Sequence, residues 1–251
     1  MKPITLLIAL CAIGHAALAE EKSISLPVIA THERLIIALW EGNITIAPGS
    51  GDAITLVADC ASQKMDDSAS DQGFRSLRSS AMLPDIVSSD DVITINTYDY
   101  GPQCTVRLAV PEQLQLHTRI NLAGSIQVDA WRGTLLAWSA DGDVSVANFG
   151  GSLSVTAMNG DANVSLADAG IVADSAITAA NGTLTLNVNP GSIPALRAQA
   201  RWGDVKTNLD LTFDEVVDGG STWFVTGTDD EHPVMTLRNL NRDIVIRTAN
   251  P

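Results

Sequence analysis

Glycines recur every nine residues at Gly124, Gly133, Gly142, Gly151 and Gly160. Each is followed two and four places later by apolar side chains: Ile126 and Val128, Leu135 and Ala137, Val144 and Val146, Leu153 and Val155, Ala162 and Val164. Alternation with period two means short strands with one buried face, and it excludes helix here. About five residues of strand and a four-residue turn with Gly, Asn or Asp at its tip complete each unit. Fainter copies stand at Gly42 with Ile44 and Ile46, at Gly182 with Leu184 and Leu186, and at Gly203 with Val205.

Two architectures use short, equal strands: an antiparallel meander, or a solenoid whose coils each take two units. Residues eighteen apart distinguish them. Stacked coils put such residues about 4.8 Å above one another, so that Trp131 falls on Phe149, Asp143 on Asp161, Val128 on Val146 and Val146 on Val164. Like sits on like, whereas a meander pairs residues by reflection and gives no reason for this likeness. The prediction is an all-β, single-domain, right-handed β-solenoid with about 18 residues per coil in its central part, the hand following the general crossover preference.

The start of the chain is read separately. Lys2 precedes the apolar run "ITLLIALCAIG", and Ala17-Leu18-Ala19 is an A-x-A cleavage signature, so residues 1–19 are expected to be an export signal peptide. No later stretch has the ~20 apolar residues of a membrane span, and Leu10 before Cys11 does not suit a lipoprotein signal. The solenoid domain is then 20–251. Its 14 basic against 29 acidic residues leave a formal charge of −15, which argues against nucleic acid and anionic membranes as partners. Two cysteines remain, Cys60 and Cys104, each at the end of a strand-like run. An even count in an oxidising compartment points to one disulfide. Residues 61–91 are polar and Ser/Asp-rich, so a mobile insert between strands is expected there.

The order "EGNITI", "TVRLAVPEQLQLHTRINLAGSIQV", repeated "NGD" units, "IPALRAQARWGDVKTNL", "GSTWFV" and "MTLRNLNRDIVIR" resembles the bacterial β-strand-repeat family of adhesin-like proteins of unknown function, over about residues 36–248. The resemblance implies an envelope or surface β-solenoid, with no catalytic residues to carry over. Two features depart from it: Asn241-Arg242-Asp243 stands where Asn-Gly-Asp is common, and the 61–91 insert is unusually rich in Ser and Asp.

Chemical signatures are sparse. The calcium nonapeptide G-G-x-G-x-D-x-U-x shares only its length with "GGSLSVTAM". If coils stack, Asp141, Asp143, Asn159 and Asp161 converge on one edge, where they are either candidate calcium ligands or solvated turn residues; no cofactor is expected. "THERL" has Ile36 where the second zincin histidine belongs, no G-x-S-x-G occurs, and Arg132 and Arg201 form no recognisable catalytic constellation. Trp138 falls on the outward register, where an indole can stack on a sugar ring or a partner.

These features point to a non-catalytic, exported binding or structural module of the cell envelope, adhesin-like and periplasmic or surface-exposed. Its expected partner is an envelope glycan or protein, without membrane insertion, and open solenoid ends offer a route to self-association. The alternatives are a polysaccharide-active β-helix lyase or hydrolase and an envelope-stress sensing component.

Overall fold

Alternate apolar residues become the inner faces of strands. In Val144–Phe149 and Ser152–Ala157, Val144, Val146, Leu153 and Val155 are buried, while Ser145 and Ser154 lie on the outer side. The computed structural model describes residues 22–60, 84–97, 103–218, 221–227 and 232–249. The export signal read at 1–19 lies outside them. So do residues 61–83 of the insert read at 61–91, whereas its end, Asp85–Ser88, is a strand.

The described residues contain strands and no helix. In chain order they are β1 (Lys22–Pro27), β2 (Arg34–Leu39), β3 (Gly42–Pro48), β4 (Ala53–Cys60), β5 (Asp85–Ser88), β6 (Val92–Asn96) and β7 (Cys104–Val110). Next come β8 (Gln115–Ala123), β9 (Ile126–Asp129), β10 (Thr134–Asp141), β11 (Val144–Phe149), β12 (Ser152–Ala157), β13 (Ala162–Leu166), β14 (Ser175–Ala179) and β15 (Leu184–Val188). The last are β16 (Ala195–Ala200), β17 (Val205–Thr207), β18 (Asp214–Asp218), β19 (Ser221–Thr226), β20 (Val234–Asn239) and β21 (Ile244–Thr248).

Successive strands in the middle of the chain alternate between two sheets. One runs β1-β4-β7-β3-β9-β11-β13-β15-β21-β17, and the other β18-β19-β16-β20-β14-β12-β10-β8-β2-β6-β5. Pairing through both middles is parallel, and Val146 lies between Val128 and Val164 in the eighteen-residue register expected. Beyond Leu166 the offset lengthens to 22, as in Val164 beside Leu186, because residues 167–174 make a detour that buries Ile171. Antiparallel strands finish three of the four sheet ends, β4 and β1 beside β7, β5 beside β6, and β19 and β18 beside β16, while β17 at the fourth runs parallel to β21.

Stacking order departs from chain order at both ends. The pair β2/β3 sits between β6/β7 and β8/β9, and the pair β20/β21 sits between β14/β15 and β16/β17. Strand pairs therefore neighbour one another in chain order only in the central part.

The repeated glycines are corners for a steric reason. A Cβ on Gly142, whose φ is 141°, would lie 1.7 Å from the carbonyl oxygen of Gly124, and one on Gly124 would lie 1.6 Å from that of Gly42. The column continues through Gly160 and Gly182, and Cys104 ends it beneath Gly42. A second column sets Gly151 on Gly133. Arg242 occupies the corresponding turn without glycine. There the buried amide of Asn239 donates to the carbonyls of Gly182 (2.9 Å) and Asp243 (3.0 Å) and accepts from Arg242 N (3.2 Å).

Between the sheets the buried side chains form one cluster, with Trp131 and Phe149 its largest members, both wholly buried. Cys60 and Cys104 face each other across antiparallel β4 and β7 and form the disulfide.

Candidate functional site

The turn aspartates have a structural job. The carboxylate of Asp143 accepts the backbone N–H of Asp161 at 2.8 Å, and that of Asp161 accepts the N–H of Thr183 at 2.7 Å. Asn43 does the same for Ser125, and Asp243 for Asp204. At these four corners a side-chain oxygen one residue past the turn thus ties it to the next in the stack, a place that suits Asp and Asn. Beside it, Asn241 donates to Asn181 and Asn181 to Asn159, a ladder of side-chain amides. Asp141 is exposed, and its carbonyl accepts Gly124 N–H. No group of three or more His, Cys, Asp or Glu stands where it could hold a metal ion among the described residues.

The outer face of the second sheet has a different character. Trp138 lies between buried Ala137 and Ser139, so its indole is on the outer side as its register predicts. It is half-buried rather than bare, because the Arg119 guanidinium stacks over its ring at 4.6 Å. Across the strands, Trp138 is level with Thr156, then Thr178, Arg238 and Gln199. At the far end Trp223 is held between the guanidiniums of Arg197 (4.4 Å) and Arg238 (5.0 Å), leaving it only 5% exposed. Arg197 also pairs with Asp218 at 2.8 Å.

A groove of about 770 Å³ crosses this face, lined by Thr178, Gln199, Arg201, Ser221, Thr222 and Arg238 together with Met158 and Leu240. Its described lining is hydroxyls, amides and two guanidiniums, with no carboxylate or imidazole. Trp202, 73% exposed, lies under the guanidinium of Arg201 at 5.8 Å. Aromatic rings hold these cations through their negative faces and keep each planar fork oriented.

Of the residues read from sequence, Trp138 lies on this face, and Arg201 lines its groove. Arg132 is elsewhere, donating to the Asn148 carbonyl in a turn. His32 is buried, with Nδ1 accepting Ile29 N–H at 3.1 Å. His117 is on the outer face of the second sheet, and burial together with nearby Arg34 lowers its pKa. The stripe through Arg238, Gln199 and Trp223 escaped sequence reading because β20 joins β14 to β16 out of chain order. The alternation in "ALRAQA" and "MTLRN" places their arginines outward, but not beside each other.

No family model matches the chain, and no curated protein matches it. Among solved structures, one described as a "putative cell adhesion protein" from Clostridium sporogenes superposes with a TM-score of 0.45 at 12% identity, covering 92% of this chain and 100% of that one.

Proposed function

We infer that the protein is an exported, non-catalytic binding module of the cell envelope, adhesin-like, built as a right-handed β-solenoid. The observation that carries this reading is the outer face of the second sheet, where guanidiniums, amides and hydroxyls line one groove and the rings of Trp138 and Trp202 stand on arginines beside it. Such a surface offers stacking and hydrogen bonds to a polar ligand. Parallel strands alternating between two sheets support the solenoid. The Cys60–Cys104 bridge supports an oxidising address outside the cytoplasm. End-to-end self-association is the poorer reading, since exposed β18 carries Asp214, Glu215 and Asp218, charges of the kind that keep sheet edges apart.

Purified protein applied to an array of envelope glycans, with a reducing-sugar assay in parallel, tests the reading. Retention without new reducing ends is expected. Release of reducing ends would replace it with the enzyme reading. Retention that is unchanged in Trp138→Ala and Arg238→Ala would remove this face as the site.

A further inference from the structure

We propose that this groove holds a linear acidic polysaccharide, a chain of hexuronate units, with carboxylates on Arg201 and Arg238 and the chain continuing out of the groove along the row of side chains that leads to Trp138. The proposal rests on the binding-module reading and adds the chemical class of the ligand.

Charge carries the argument. Acidic residues outnumber basic ones 29 to 15, so a guanidinium here has carboxylates in ready supply. Arg34, Arg197 and Lys206 have taken them, in pairs with Asp91, Asp218 and Asp243. Arg119, Arg201 and Arg238 have not, among the described residues. Arg119 is on Trp138 and Asn121, Arg201 on Trp202, and Arg238 on Trp223. Among the described residues, three guanidiniums without a carboxylate thus share one face, each with a ring beneath it, whereas Arg132 and Arg247, also without one, are engaged by the Asn148 carbonyl and the Asn187 amide elsewhere.

The lining selects among anions. A guanidinium fork matches a carboxylate through two parallel hydrogen bonds. Thr178, Gln199, Ser221 and Thr222 in the groove, with Thr156 on the strand beside it, give the neutral donors and acceptors that sugar hydroxyls need, which an isolated small anion would leave unused.

Geometry favours a chain over a single sugar. Arg119, Trp138, Thr156, Thr178, Arg238 and Gln199 occupy six consecutive strands in one register. At about 4.8 Å per strand, Trp138 and Arg238 stand roughly 14 Å apart. That step is of the size of one pyranose unit, so successive rings meet successive side chains.

Calorimetric titration with hexagalacturonate, its fully methyl-esterified form and a sulfated hexasaccharide, all in EDTA so that no cation bridges protein and sugar, tests the proposal. Hexagalacturonate is expected to bind at least ten-fold more tightly than the ester. Arg201→Ala and Arg238→Ala should each weaken the acid form about ten-fold and leave the ester unchanged. Arg238→Lys should fall between, and Arg247→Ala, on the other sheet, should bind as wild type. Both groove arginines are at the surface, so an unchanged melting temperature certifies the fold of each variant. Equal binding of acid and ester, or binding of the sulfated sugar alone, overturns the hexuronate assignment while the binding-module reading stands. Failure of all three probes while the array retains another glycan does the same. Failure of the probes and the array together overturns both.

Discussion

Ser125 donates both its backbone N–H (3.1 Å) and its hydroxyl (2.8 Å) to Oδ1 of Asn43, across 82 residues of chain. Ser125 follows the first glycine of the uninterrupted nine-residue series and Asn43 lies outside that series, yet they make the same turn-to-turn bond as Asp143 and Asp161. One early unit has been fitted into the stack beside units much later in sequence, and the same side-chain device holds it there.

The glycine columns predict a sharp contrast between substitutions. Gly142→Ala puts a methyl group inside the Gly124 carbonyl at a φ that L residues avoid, so a loss of about 3 kcal/mol or more is expected. Gly191→Ala meets no atom within 4 Å and should stay within about 0.5 kcal/mol of wild type. Urea denaturation of the two variants measures both.

The turn carboxylates separate an amide acceptor from a cation ligand. Asp143→Asn keeps the oxygen that accepts Asp161 N–H, as Asn43 does for Ser125, and should be near neutral. Asp143→Ala should cost about 1 kcal/mol. Melting temperatures with and without calcium complete the test: a calcium-dependent rise in wild type that Asp143→Asn removes would make the column a cation site.

Ser139 is wholly buried, and its hydroxyl has no partner among the described residues. Its strand neighbours at that level are Ile120 and Ala157. Ser139→Ala removes an unpaired polar group from the core and is expected to stabilise the protein by about 1 kcal/mol, measured as a higher denaturation midpoint with unchanged slope.

Joining β4 to β7, the disulfide spans a separation of 44 residues. Replacing both Cys60 and Cys104 by Ser should cost about 3 to 4 kcal/mol, as expected for a loop of that size. Equal midpoints for wild type under oxidising and reducing conditions would contradict this.

At the β21–β17 contact the carboxylate of Asp243 is held below its ordinary value of 3.8, first by its hydrogen bond to Lys206 and then by that to the Asp204 amide. The same pairing raises Lys206 above 10.5. A depressed carboxylate stabilises above its ordinary value and loses that contribution as pH falls through the lower folded value. A raised ammonium stabilises below 10.5 and loses its contribution as pH rises past the higher one. The contact should therefore be intact across neutral pH and loosen in acid, seen as a shift of the Asp204 amide resonance that Asp243→Asn abolishes.

Local features were legible because they repeat. Val128, Val146 and Val164 share a column, and Gly42, Gly182 and Gly203 fall into the glycine corners as their faint patterns suggested. The order of the end pairs was not legible, since parallel strands with the same alternation accept one another's edges almost equally well. Nothing in β20 or β16 marks it as the other's neighbour. Trp138 was readable as outward from its register alone. Arg238, Arg201 and Trp223 were not readable as a group, because their proximity depends on that order.

Insertion of β20/β21 between β14/β15 and β16/β17 also governs how the molecule can come into being. Synthesis delivers residues 195–207 before 234–248, so β16/β17 emerges ahead of the slab that must separate it from the body. A nascent chain halted before residue 234 keeps raw backbone edges on β14 and β15 and on the detached pair beyond them, the surfaces through which β-rich chains recruit one another. Until that late insertion those edges stay open to the strands of other chains.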